Sequence, residues 1–167
     1  MIGSSGNGKT RVARALAERL DLPYVELDAL HHGPNWAEPT PEEFKRAVET
    51  ASTGDAWVVD GNYRGKLGSY LFERADTVVW LDQPLALVLS RLWRRTTRRI
   101  RRREELWSGN RESWRGAFWG RESLFAWAIR KHFADRRTLP RELERFPNLR
   151  VARLRRPREV ERFLEEI

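Results

Sequence analysis

Residues Gly3-Ser4-Ser5-Gly6-Asn7-Gly8-Lys9-Thr10 satisfy the pattern G-x-x-x-x-G-K-[ST] at every fixed position. This pattern dictates a local shape. Its glycines let the backbone turn so that successive N–H groups converge on phosphate oxygens. A helix beginning at Thr10 adds its positive end to the same point. Lys9 can reach the outer phosphates, and the Thr10 hydroxyl can hold Mg²⁺. A loop of this kind stands between a strand and a helix. The helix is legible, with Val12, Ala13, Leu16, Ala17 and Leu20 on one face of Thr10–Leu20. Only Met1 and Ile2 precede Gly3, fewer than a central strand requires. Either the first strand is truncated, with further residues upstream, or the sheet lacks its middle strand; the first is expected, because a parallel sheet without its central strand would expose unpaired backbone groups on both neighbours.

The rest of the chain alternates strand and helix signals. Short apolar runs at 24–28, 56–60, 77–82 and 149–154 are rich in β-branched or aromatic residues. Helical patterns lie between and after them, at 63–74, 84–103, 121–137 and 157–167. One more follows Thr40-Pro41-Glu42-Glu43, an N-cap with Pro at the first helical position and Glu at the third. Such alternation predicts a parallel sheet covered on both faces, a three-layer α/β domain spanning 1–167. Residues 104–120 depart from it, carrying three glycines and three tryptophans between two long helices. They read as a hinged lid insertion, with a packed helical corner as the alternative. The chain has no cysteine, so disulfides and thiolate metal sites are excluded. No apolar run approaches bilayer-spanning length, no membrane role is expected, and the expected compartment is the cytoplasm.

Charge enters where it is concentrated. The formal net charge is +8, and residues 91–103 hold eight arginines and no acid. Outside that window bases and acids number 24 each. On a helical wheel Arg91, Arg94, Arg95, Arg98 and Arg102 form a stripe opposite Leu85, Leu89, Leu92, Thr96 and Ile100. A stripe without internal acids implies an anion, or acidic partners from Glu104, Glu105, Glu112 and Glu122. The anion is either a transferring phosphoryl group or a nucleic-acid backbone. Arg111, in the lid segment, is a further candidate to close on the phosphates.

Two carboxylates close strand signals, Asp28 in YVELD and Asp60 in AWVVD. Open α/β sheets bind ligands beyond the carboxyl ends of their strands, so both are expected to face the glycine-rich loop. Asp60 is placed to hold Mg²⁺ through water, and Asp28 to orient a substrate hydroxyl or accept its proton. The adjacent His31 and His32 lack a third ligand at suitable spacing and read as loop residues rather than a metal site. Trp36 either caps an acceptor pocket or anchors its loop.

The segment Trp57-Val58-Val59-Asp60-Gly61-Asn62-Tyr63-Arg64 resembles the D-G-x-x-R signature of adenylate kinases and related nucleoside monophosphate kinases. Asn62-Tyr63 stand where that family usually has Phe-Pro. The resemblance implies a P-loop NTPase fold and assigns Arg64 to an acceptor phosphate. Arg91-Leu92-Trp93-Arg94-Arg95 looks like the family's R-x-x-x-R before the lid, which places Arg91 against the nucleotide base and Arg95 on phosphate. Arg155 falls where an adenine-contacting loop would lie. Asp28-x-x-His31 is closer to the shikimate and gluconate kinase branch, where the aspartate contacts the acceptor hydroxyl. The combination of LDALHHGPNW, DGNYR and ELWSGNRE most resembles adenylate-kinase-related topology modulation proteins of the FlaR type.

These readings converge on an ATP-dependent, Mg-assisted phosphotransferase acting on a nucleotide or another small-molecule acceptor. ATP is expected on Gly3, Ser4, Ser5, Gly6, Asn7, Gly8, Lys9 and Thr10, with Arg91 and Arg155 at the base. Asp28, His31, Trp36, Asp60 and Arg64 line the acceptor side. Lys9, Asp28, Arg95 and Arg111 carry the chemistry, and Thr10 and Asp60 the metal. The alternative is a nucleic-acid-associated NTPase or regulator that binds DNA or RNA through Arg91–Arg103. Acceptor identity and oligomeric state stay open.

Overall fold

A computed structural model describes residues 1–167. Helix α1 (Lys9–Leu20) follows the glycine-rich loop and leads to β1 (Tyr24–Glu26) and the short α2 (Leu27–His31). A 3₁₀ turn at Pro34–Trp36 precedes α3 (Pro41–Ala51), β2 (Val58–Asp60), α4 (Arg64–Leu67), α5 (Tyr70–Arg74) and β3 (Thr77–Leu81). The arginine helix is α6 (Leu85–Arg102). Beyond it lie a second 3₁₀ turn at Trp107–Gly109, α7 (Trp114–Phe118), α8 (Leu124–Leu143), β4 (Arg150–Leu154) and α9 (Pro157–Glu165).

The strands form two parallel pairs, β1 with β2 and β3 with β4. Met1 and Ile2 occupy the place between them. The Met1 amino group donates to the Val59 carbonyl at 2.7 Å, and Gly61 N–H donates to the Met1 carbonyl. Ile2 N–H donates to Val79 O, Leu81 N–H donates to Ile2 O, and Ile2 bridges Trp80 in parallel. The spatial order is therefore β1, β2, Met1-Ile2, β3, β4. Two residues hold the central position, consistent with an α/β P-loop fold.

Alternation along the strands assigns the faces. Val79 and Leu81 pack with Val12 of α1 and Val160 of α9. Val78 and Trp80 point the other way, onto Phe72 of α5 and Leu139 and Leu143 of α8, and Ile2 joins them. In β2, Val58 meets Ala13 and Ala17 of α1, whereas Val59 meets Phe44 and Val48 of α3. Helices thus cover both faces. Fully burying side chains such as Phe44 and Val48 contributes ~1.5–3 kcal/mol each. At the start of α3 the Thr40 hydroxyl accepts from Glu43 N–H while the Glu43 carboxylate accepts from Thr40 N–H, closing the predicted capping box.

Several boundaries differ from the sequence expectation. The first strand stops at Glu26, because a helix from Leu27 buries both Leu27 and His31, four residues apart, near Phe44. Asp28 therefore projects from a helix and not from a strand end. The helix expected over 63–74 is broken at Gly68, whose φ of 56° ends α4. Helix α8 starts at the Ser123 cap and runs through Pro140, because Leu139 and Leu143 both enter the core. No helix is long and apolar enough to cross a membrane.

Candidate functional site

The glycine-rich loop is shaped by its own side chains. Asn7 Nδ2 donates to Ser4 Oγ at 2.7 Å, and Asn7 Oδ1 accepts from Gln83 N–H beyond β3. Both Ser4 and Asn7 are buried. Gly6 has φ 91°, and a Cβ there would lie 2.6 Å from the Val88 carbonyl oxygen of α6, so only glycine fits. Lys9 Nζ crosses the loop to Ser4 O at 3.4 Å. Helix α1 has no side-chain cap at its start, leaving its first N–H groups to the loop's concavity.

Thr10 and Asp60 meet as the motif predicts. Thr10 Oγ1 donates to Asp60 Oδ2 at 2.6 Å, and Tyr24 OH donates to the same oxygen at 3.3 Å. Burial, followed by the Asp60 charge, pushes the Tyr24 hydroxyl well above its ordinary pKa, so it stays a donor. Asp60 is 4% exposed and its Oδ1 has no partner. A buried carboxylate oxygen without a donor, beside a threonine hydroxyl at the foot of a phosphate loop, fits a hard divalent cation or its water. The residues present therefore suit Mg²⁺.

The eight arginines of residues 91–103 divide between two surroundings, and Arg99, off the stripe, joins its inward members. Arg91 Nη1 donates to the buried Gln83 Oε1 at 2.6 Å. Arg95 Nη2 reaches Ser5 Oγ at 3.4 Å, and its Nε is buried without a partner. Desolvation lowers the Arg95 pKa, Arg99 lowers it further, and Glu112 and Asp28 oppose them. Arg99 pairs with Glu112 at 3.1 Å, while the other Glu112 oxygen is buried and unpartnered. These three arginines face the loop and segment 104–120. Arg94, Arg101, Arg102 and Arg103 are exposed and form no ion pair, and Arg98 pairs at the surface with Glu104.

Near Arg95 lies Asp28, with the other residues expected to line an acceptor. Tyr63 OH donates to Asp28 Oδ1 at 2.6 Å, and burial followed by the Asp28 charge raises its pKa. Tyr63 also lies against His31, with ring centroids 4.5 Å apart. His31 Nε2 is 2.6 Å from Lys66 Nζ, which also holds Glu38. With the lysine as donor, the His31 proton sits on Nδ1, and this atom is buried without a partner. His32 Nδ1 is orphaned as well, and its ring lies between Trp36 and Trp107.

Segment 104–120 is docked on this side. Asn110 is buried; its Nδ2 donates to Gly33 O at 2.8 Å and its Oδ1 accepts from Trp36 N–H at 2.9 Å. Ser108 Oγ donates to His32 O, and Trp107 Nε1 donates to Glu26. Asn35, Trp36 and Ser108 all adopt positive φ, between 55° and 60°. Positive φ at tryptophan is costly and persists only where neighbours over-determine it, as Asn110 does here.

Three of the expected site arginines, Arg64, Arg111 and Arg155, have protein carboxylates as their neighbours. Arg64 uses its whole guanidinium on protein. Nε donates to Asn62, Nη2 pairs with Asp135 at 2.6 Å, and Nη1 pairs with Glu142, both carboxylates being on α8. Arg111 is at the surface on Glu105, and Arg155 is exposed with only a 4.0 Å approach to Asp82. Asp82 itself is buried and bound by Arg136 and Arg153. Sequence reasoning missed Tyr63, Gln83 and Asn110, and gave Glu112 only as an acidic partner for the arginine helix, which it is through Arg99. Tyr63 and Asn110 lie inside segments already singled out, whereas Gln83 carries no sequence signal.

The description "ATPase family associated with various cellular activities (AAA)" belongs to the family that matches residues 1–83, just under half of the chain. The match covers the phosphate loop, α1 and the strands through β3. It supports the P-loop NTPase superfamily and nucleotide binding. No curated protein and no solved structure matches the chain.

Proposed function

We propose that the protein is an ATP-dependent, Mg-assisted phosphotransferase with an adenylate-kinase-like arrangement, related to the topology modulation proteins its motifs resemble. The observation that carries this reading is the ring of unpartnered buried polar atoms beyond the phosphate loop. Arg95 Nε, Glu112 Oε2, His31 Nδ1 and His32 Nδ1 have no partner, and Asp28 lies among them. Native proteins leave few such atoms, so their gathering beside a nucleotide loop fits a second polar ligand. Hydrolysis alone would need only water there.

The roles follow from position. Loop N–H groups and Lys9 hold the phosphates of ATP. Thr10 and Asp60 hold Mg²⁺, which when bound neutralises phosphate charge. Arg95, anchored at Ser5, stabilises the charge that develops on the transferring phosphoryl group. Tyr63 fixes Asp28, which orients the acceptor hydroxyl. Arg91 braces Gln83 and the loop. Segment 104–120, docked through Asn110, excludes water. The test is ADP production from ATP across candidate acceptors. Acceptor-stimulated turnover lost in Lys9→Ala supports the reading; ATP binding with no stimulation by any acceptor rejects it.

A second reading has its own observation. Arg94, Arg101, Arg102 and Arg103 are exposed and unpaired, and the exposed Trp93 lies on the same helix. Arginines with an aromatic platform suit single-stranded nucleic acid. Binding that falls steeply with salt and vanishes in an R94A/R101A/R102A variant would favour it.

A further inference from the structure

The phosphotransferase reading leaves the acceptor's chemistry open, and the charge arrangement around Asp28 narrows it. We infer that the acceptor is a phosphate-free, hydroxyl-bearing small molecule rather than a nucleoside monophosphate. This rests on the phosphotransferase reading.

An acceptor phosphate needs a cation that is free to pair with it. Arg64, the arginine of D-G-x-x-R, is not free. Its three nitrogens engage Asn62, Asp135 and Glu142, and Asn62 Nδ2 in turn donates to Asp135 at 2.8 Å. Two carboxylates therefore neutralise one guanidinium and turn it toward α8. Lys131 adds a second cation to Asp135, so the cluster is a closed structural network. Releasing Arg64 would leave the buried Asp135 with Lys131 and Asn62 alone and Glu142 with no cation, which is unfavourable.

Two further cations on this side are also engaged: Lys66 is shared between Glu38 and His31, and Arg99 is paired with Glu112. Arg95 is unpaired, but it sits on Ser5 of the phosphate loop, where the transferred group must pass. Against these stand Asp28 and Glu112, whose Oε2 has no donor. The space thus presents carboxylate acceptors and the His31 N–H donor while Arg64, Lys66 and Arg99 are already paired, a pattern that suits hydroxyl groups better than a second phosphate. His32 between Trp36 and Trp107 supplies apolar walls suited to a carbon skeleton.

The transfer step balances with ATP as the co-reactant. The acceptor oxygen bonds to the γ-phosphorus as the bond from that phosphorus to the bridging oxygen of ADP breaks. ADP leaves with the electron pair, and the hydroxyl proton passes to the Asp28 carboxylate and on to solvent.

Adenosine and AMP, identical except for the phosphate, provide the test alongside gluconate, shikimate, GMP, CMP and UMP. ADP production is measured with each, and calorimetry follows AMP binding to protein loaded with a non-hydrolysable ATP analogue. The expected result is stimulation by at least one phosphate-free hydroxyl compound, no stimulation by any monophosphate, and no heat of AMP binding. Asp28→Asn should then lower the stimulated rate about 10²-fold or more, with ATP-analogue affinity unchanged. Stimulation by a monophosphate, or AMP binding that disappears in Arg64→Lys, overturns the inference and leaves the phosphotransferase reading standing. Analogue binding without stimulation from either set rejects both. Failure of the analogue to bind rejects the nucleotide site itself.

Discussion

At Gly6 a single hydrogen atom decides whether the phosphate loop can exist. With φ at 91° and the Val88 carbonyl in the way, Gly6→Ala must displace backbone. It should cost about 1–3 kcal/mol of stability and weaken nucleotide binding, read by thermal melting and by titration. Gly65→Ala is the contrast, since nothing lies within 4 Å of its Cβ position in α4. That change should stabilise by roughly 0.4–1 kcal/mol. Thr10 carries a different kind of information. Thr10→Val removes the hydroxyl bound to Asp60, and should weaken nucleotide affinity about tenfold, ~1.4 kcal/mol, when Mg²⁺ is present. Affinity measured with a chelator present should barely change; an equal loss there would place the role of Thr10 outside metal binding.

Among the elements, segment 104–120 depends most on one residue. Asn110→Ala removes both side-chain bonds that join it to the 33–36 loop. The loss is about 1–3 kcal/mol of docking, and cleavage by protease within 104–120 should accelerate while the remaining domain resists. Unchanged cleavage would mean that Ser108 and Trp107 hold the segment by themselves. The same scale shows what the sequence could and could not reveal. The phosphate loop, α1, α3 with its capping box and the arginine helix all follow from local pattern. Asp60 beside Thr10 follows from the general placement of ligands at strand ends. The end of β1 did not, because it depends on the packing of Leu27 and His31 against Phe44 of α3, which local pattern does not show. The continuation of α8 through Pro140 reflects core packing overriding a local breaker. The partners of Arg64 are hidden from the sequence for the same reason. Its motif is local, but Asp135 and Glu142, which capture it, lie more than 70 residues away. The division of the arginine stripe likewise depends on which neighbours reach each side.

Over the whole molecule, acid should act through three histidines. His31, His32 and His132 are all held below the ordinary imidazole pKa of 6.5, with burial the first cause in each. For His132, Arg136 adds to this, while Asp82 and Asp135 oppose it. Each stays neutral when folded and takes a proton more readily once unfolded. The unfolded chain therefore binds more protons below about pH 6.5, so stability is full above that value and falls as pH drops toward the depressed folded pKa values. Urea unfolding at pH 7.5, 6.5 and 5.5 measures this. A His132→Gln variant should flatten the decline, and an unchanged slope would rule out His132 as a contributor.

Helix α1 also joins the two halves of the sheet. It packs Val12 against Val79 and Leu81 of β3, and Ala13 and Ala17 against Val58 of β2. The glycine-rich loop leads directly into this helix. A ligand held by the loop would therefore stiffen an element that both strand pairs share. Amide exchange should then slow in β2 and β3 together when nucleotide is added, and slowing confined to one pair would show that the helix does not carry the effect across.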